Sequence, residues 1–394
     1  MPDVVIVGGG IVGAACAQEL ASRGLSVSLV EREGLAAGAS GRNQGWFVLS
    51  ADEACGPMSR ASLPRYLEIA ETSAVPVRID RENVGHVMFA LDEPGAAVVR
   101  RRAQAYGATG VRVERIDRLG EVEPSMREDV AEAWFLDQGR RVDPGALTIA
   151  LALRAKDLGA DIRRHETVRA LTTAGDRVTG VATDEGVIAA GTVILAAGPW
   201  SEPLVRSLGI SLPVTGGRGW IVELAGSPGL LRHLVEEETA EDEDDDPDDV
   251  PTAAQLARDE PPRPGVAALL HSTDDGTVVC GASHHPALRP EAEDTGAPAR
   301  IAARAVDVVP ALADARVRGI RWGIRPMSPD GRPLVGWLCE GLLAATGHGP
   351  EGVLLAGGTA ALIGALVVNE DPPFDAVPFD PSRFSEGGRA SPGA

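Results

Sequence analysis

The stretch Asp3 to Arg32 constrains this chain more than any other. Val4-Val5-Ile6-Val7 is a short β-branched apolar run, the pattern of a strand buried on both faces. It runs directly into Gly8-Gly9-Gly10-Ile11-Val12-Gly13, with glycines at the spaced positions of G-x-G-x-x-G. Gly8 permits the tight turn, Gly10 lets backbone approach a pyrophosphate, and Gly13 lets the helix pack close to the strand. Ala14 to Arg23 reads as a helix of small and straight-chain residues that ends at Gly24. Its N-terminus offers unpaired N–H groups and a positive partial charge, which suits a diphosphate. Val27 to Val30 is the second strand, and Glu31 at its end can accept hydrogen bonds from ribose hydroxyls while repelling a 2′-phosphate. A lone glycine motif is weak, but strand, glycines, helix, second strand and acid in this order predict dinucleotide binding.

Composition narrows the class. At 394 residues with 44% hydrophobic content, the chain can bury one to three globular cores. The formal charge of −20 is more than half local, since Glu236 to Asp249 holds 11 acids and no base. Such a balance has no footprint for nucleic acid or anionic lipid. Four cysteines (Cys16, Cys55, Cys280 and Cys339) stand far apart, so neither a metal site nor a disulfide framework is expected. With the first strand beginning a few residues after Met1, no signal peptide is expected. The apolar run Val353 to Val368 is short for a bilayer and broken by glycines, so no transmembrane segment is expected. The cytoplasm is the expected location.

Beyond residue 50 the pattern changes. Ser62 to Ala74 reads as a helix, Gly85 to Ala90 as a strand, Pro94 to Ala108 as a helix whose Arg100-Arg101-Arg102 face is solvated, and Ala131 to Leu136 as a strand. Asp143-Pro144 opens a helix as N-cap and first helical residue. Val193 to Ala197 is a buried strand ending in Gly198-Pro199-Trp200, and Pro213 to Leu224 is another strand. Glu236 to Pro264, acids followed by prolines, reads as a disordered insertion, as do residues 385–394 at the tail. Leu342 to Thr346 is a strand, Gly347-His348-Gly349-Pro350-Glu351-Gly352-Val353 a second glycine-rich turn, and Leu354 to Asn369 its helix.

The opening motif followed by Gly38-Ala39-Ser40-Gly41-Arg42-Asn43-Gln44-Gly45 resembles the D-amino-acid oxidase superfamily of flavoenzymes, nearest in motif to glycine oxidase and D-amino-acid dehydrogenase. The resemblance implies an α/β chain: a Rossmann-like FAD-binding domain of the glutathione-reductase type, and an α+β substrate domain on an antiparallel sheet. The FAD domain is expected from 1–50, 140–210 and 325–375, and the substrate domain from 51–139 and 211–324. The resemblance places Gly8, Gly10, Ile11, Val12, Gly13, Glu31 and Arg32 on the diphosphate and ribose. Ser40, Gly41, Arg42, Asn43, Gln44 and Gly45 are placed beside pyrophosphate and ring, and Val168, Ala197, Gly198 and Trp200 on the adenosine half. The turn Gly347 to Val353 is placed against the flavin, where a positive helix end favours the negative charge that a hydride brings.

Arg325, in Gly-Ile-Arg-Pro-Met-Ser-Pro-Asp-Gly, is similar to the family's carboxylate-binding arginine. A planar guanidinium pairs bidentately with a carboxylate. Arg321 lies four residues earlier and could share its face, but ranks below it. His348 is expected near the ring, His284 and His285 at a strand end that approaches it. The implied reaction is FAD-dependent oxidation of the C–N bond of an amino acid or secondary amine, by hydride transfer to flavin N5, giving an imine. No general base is assigned, because the chemistry needs orientation more than a base. The segment around Arg325 has no cysteine, so FAD is expected to be non-covalent. The only lysine, Lys156, lies in the helix after Pro144, which leaves none to assist oxygen. The electron acceptor stays open between O2 and a quinone or other redox partner, with a tilt toward a dehydrogenase. Two other readings are a flavin dehydrogenase of a hydroxy acid or other C–OH substrate, and a non-catalytic interaction protein.

Overall fold

A computed structural model describes residues 1–239, 266–283, 285–287 and 296–384. The expected strand–turn–helix–strand unit is present: Val4–Val7, Ile11–Ser22 and Val27–Glu31. Val4–Val7 lies at the middle of a six-stranded sheet, between Thr192–Leu195 and Val27–Glu31, both parallel to it. Asp161–Arg164 extends one side in parallel, and Leu342–Thr346 and then antiparallel Leu334–Cys339 extend the other. Both faces are covered, which is why these strands read as continuous apolar runs. On one face the first helix, the helix Pro144–Asp157 and the late helix Gly352–Val368 enclose the largest core. The Asp143 carboxylate caps its helix by accepting from Ala146 N at 2.9 Å.

The stretch Gly349–Val368, which includes the late helix, is long and apolar enough to cross a membrane, but 67% of its apolar window is buried inside the fold. It packs on the helix Cys55–Thr72. Gly358 there lies so close that a Cβ would stand 2.2 Å from Met58 Cγ. That helix starts seven residues before the expected Ser62. The Asp52 carboxylate caps it, accepting from Ala54 N and Cys55 N at 2.9 Å each, and Pro57 falls in the first turn where no N–H is needed.

Among the described residues a nine-stranded, mostly antiparallel sheet forms the second layer. Its centre is Thr215–Ala225, which pairs with Val317–Met327 on one side and Thr277–Ser283 on the other. Val317–Met327 runs through residue 325, so the expected boundary at 324/325 cuts a continuous strand. The sheet's outer face packs Val222, Leu224, Leu270 and Cys280 with Ile301 and Ala305 of the helix Ala297–Val308.

The acidic run departs from its expectation at its start. Leu234–Glu237 is a strand of this sheet, between His86–Ala90 and Val266–Ser272. Glu237 is buried against Arg304, whose Nε donates at 2.8 Å, and also accepts from Ala268 N at 3.0 Å. Glu236 and Glu238 both pair with Arg102, so that part of the arginine face turns inward rather than to solvent. Composition alone missed this because the compensating cations lie over 60 residues away in sequence. The rest of the expected insertion, the 385–394 tail and His284 lie outside the described residues.

Candidate active site

A single cavity of about 490 Å³ brings the two glycine turns together. Its wall holds Gly8, Gly10, Ile11 and Val12 of the first turn and His348, Gly349, Pro350, Gly352 and Val353 of the second. Glu31, Arg32, Ser40, Arg42, Asn43, Val168, Ala197, Gly198 and Trp200 also line it, with Arg325 at its sheet end. Gly13 and Gly347 stand behind the wall and shape it. A Cβ on Gly13 would lie 2.0 Å from Gly8 O, and Gly347 has φ +74°. Thr346 Oγ1 donates to Gly198 O at 3.0 Å and ties the ends of two neighbouring strands. Trp322, Gly323 and Thr346 line the cavity as well, and sequence reasoning missed them. They follow from which strands lie side by side, which short motifs do not state.

The polar groups of the wall fit a dinucleotide. Glu31 Oε2 accepts from Gly9 N at 2.7 Å and Oε1 from Glu33 N at 2.8 Å, which fixes the carboxylate at the end of its strand. Ser40 Oγ accepts from Ile11 N at 2.9 Å, so this hydroxyl stands at the helix end proposed for the diphosphate. The approach there is tight: a Cβ on Gly10 would lie 3.1 Å from Ser40 Oγ. The Arg32 guanidinium stacks 4.0 Å from the Trp200 ring. Among the described residues no cysteine lines the cavity, in keeping with a non-covalent cofactor.

Three expected cofactor residues turn elsewhere. Gly41 N donates to Ala36 O, and Gly45, at φ +88°, bonds Val142, so both shape the loop. Gln44 Nε2 donates to Leu269 O of the antiparallel sheet at 2.6 Å. Glu351 also leaves the wall. It meets Ser50 Oγ at 3.2 Å, and burial raises its pKa above the usual carboxylate value.

His348 is 1% exposed. Its Nε2 meets Thr359 Oγ1 at 2.9 Å, and its Nδ1 is a buried nitrogen with no hydrogen-bond partner. Burial lowers its pKa to about 3, so it is neutral at ordinary pH. An orphaned polar atom on a cavity wall is what a missing cofactor or substrate group would satisfy.

Arg325 and Arg321 project from one face of the strand Val317–Met327 but have different surroundings. Arg321 pairs with Glu223 and donates to Asn43 O at 3.2 Å, so its charge is already compensated. Arg325 donates from Nη1 to Ser283 O at 3.2 Å and, among the described residues, has no carboxylate partner. Desolvation lowers its pKa from the usual value, though a guanidinium remains cationic. The structure makes room for it at Gly219, where a Cβ would lie 2.6 Å from the guanidinium nitrogens. Gly219 was not foreseen, because only the pairing of the two strands brings it beneath the Arg325 guanidinium. His285 is placed by its backbone alone, opposite Arg218.

Comparison with known proteins identifies the family. A sequence profile described as DAO, FAD dependent oxidoreductase, matches residues 3–366. Glycine oxidase of Pseudomonas aeruginosa is 27% identical over 394 residues, covering 96% of this chain and 98% of that one. The bifunctional protein ThiO/ThiG of Synechocystis sp. is 28% identical over 97% of this chain, which spans about half (54%) of that longer protein. The crystal structure of glycine oxidase from Geobacillus kaustophilus superposes with a TM-score of 0.84 at 26% identity, covering 98% of this chain and 99% of that one. Two glycine turns on one cavity, an acid at the second strand's end and a match over nearly the whole length together place the chain in the DAO family of FAD-dependent oxidoreductases.

Proposed function

We propose that this chain oxidises the C–N bond of an amino acid or secondary amine to an imine, which water then hydrolyses. The observation that carries the reading is Arg325: a cation at the cavity's sheet end whose charge no described carboxylate compensates. Leaving such a charge unpaired is costly unless a ligand completes it. A substrate carboxylate does so, and bidentate pairing would orient the carbon that loses hydrogen. Bound FAD would supply the acceptor for that hydride. Glu31, Ser40 and the two helix N-termini would hold its diphosphate, ribose and ring end. His348, neutral in its buried setting, offers a hydrogen-bonding nitrogen without adding charge. Relatives named glycine oxidase and 4-methylaminobutanoate oxidase (formaldehyde-forming) support an amine substrate over a hydroxy acid.

We assign cofactor binding to the six-stranded sheet and substrate binding to the nine-stranded one. A reducing compartment, the cytoplasm, suits the four free cysteines. Lys156 is exposed on the helix Pro144–Asp157, away from the cavity, which supports a redox partner rather than oxygen as acceptor.

The test is an anaerobic screen of amino acids, N-methyl amino acids and 2-hydroxy acids, following loss of the flavin's visible absorbance. Amines are expected to bleach the enzyme. Bleaching by hydroxy acids alone would overturn the assignment. Repeating the screen in air and with a soluble quinone identifies the acceptor.

A further inference from the structure

The geometry points to Gln44 as the residue that recognises the substrate's amine, through the carboxamide oxygen it holds over Gly281. This inference rests on the carboxylate role of Arg325 given above. Gln44 Nε2 donates to Leu269 O at 2.6 Å, and that bond settles which end of the amide is nitrogen. The other end, Oε1, is therefore a fixed acceptor, and no described residue donates to it. It lies where a side chain of Gly281 would project: a Cβ there would be 2.4 Å from it. Arg325 occupies the matching place over Gly219.

The two groups share one face of the sheet. Val222 pairs with Cys280, and both belong to the outer core, so Gly219 and Gly281, each an odd number of residues away, lie on the opposite face. Arg325 pairs with Gly217 and is on that same face. The carbonyl of Ser283, two residues from Gly281, is the one to which Arg325 donates. Diagonal neighbours on adjacent strands stand about 7–8 Å apart. A carboxylate on the guanidinium and an N–H on Gln44 Oε1, each at about 2.9 Å, let one α-amino acid bridge that span. Gln44 is half-buried and directly follows Asn43, which lines the cavity along with Arg325.

The choice of a neutral acceptor has a chemical consequence. A carboxylate there would favour the ammonium form, whereas a carboxamide accepts an N–H without holding the extra proton. The nitrogen lone pair needed for imine formation is then available. Primary and secondary amines have the required N–H, and tertiary amines do not.

Glycolate and propionate test this, since they are near-isosteres that differ by one donor. Their dissociation constants are read anaerobically from perturbation of the flavin spectrum in holoenzyme. Wild type should bind glycolate about tenfold more tightly than propionate. Gln44→Met should bring glycolate to the propionate value and leave propionate within about twofold. Gly281→Ala, whose methyl displaces Oε1, should do the same by a separate route. Equal binding of the two ligands by wild type, or a preference that survives Gln44→Met, would overturn the role of Gln44 and leave that of Arg325 standing. If neither ligand perturbs wild type, the carboxylate site fails and this inference falls with it.

Discussion

His348 and His271 are both buried, and burial pushes each to a pKa of about 3. For His271 the nearby Arg141 and Arg321 add to the effect, and its Nδ1 accepts from Trp46 Nε1 at 2.8 Å. Unfolded histidine takes its proton near 6.5, so between about 6.5 and 3 the unfolded chain binds more protons than the folded one. The contribution of these two histidines is therefore fully present above 6.5 and falls with acidification, by about 1.4 kcal/mol per pH unit for each. The melting temperature at pH 5 should be lower than at pH 7, with a shallower slope in His271→Asn. An equal slope would show that other groups control it. At Arg325, truncation to alanine should raise KM for a carboxylate substrate about ten- to hundredfold, from about 1.5–3 kcal/mol for a charged hydrogen bond. Steady-state kinetics on the best amine from the anaerobic screen would measure it. Arg325 was legible in the sequence because Gly-Ile-Arg-Pro is a local signature. What separates it from Arg321 was not legible, because Glu223 lies on another strand.

At the scale of elements, the late helix shows how much a local pattern leaves out. Its existence was legible from Leu354 onward, but the reason for its glycines was not. Gly357 and Gly358 sit against Ser62 and Met58, and Gly358 N donates to Ser62 Oγ at 3.0 Å. Gly358→Ala gains helix propensity of about 1 kcal/mol, but its methyl would overlap Met58, at about 1–3 kcal/mol for overpacking. Because the same helix presents its N-terminus to the cavity, the variant should lose bound FAD as well as stability. Flavin-to-protein ratio and thermal unfolding would show both. The strand Leu234–Glu237 carries the opposite lesson. An acidic run looks soluble, yet Glu237 is a buried partner of Arg304. Glu237→Ala should destabilise by about 1–3 kcal/mol, since it leaves the buried Ala268 N without its acceptor, while Arg304 keeps Asp307; denaturant unfolding is the check.

Across the whole molecule, the two sheets meet around one cavity, and the cofactor proposed for it would touch both glycine turns. Ligand that binds only the folded state stabilises it by mass action. Free FAD at a hundred times its Kd should raise unfolding free energy by about 2.7 kcal/mol over the flavin-free protein. A thermal shift series in FAD measures this, and no shift would contradict a shared site.

The sequence by itself determined the dinucleotide unit, the second glycine turn and the two core sheets' principal strands. Those features rest on backbone dihedrals, helix ends and apolar periodicity, all set within a few residues to some thirty. Tertiary structure alone decided which arginine stays unpaired, which acids are buried and where Gln44 points. Each depends on a partner that is distant in the chain and adjacent only once the strands are in register.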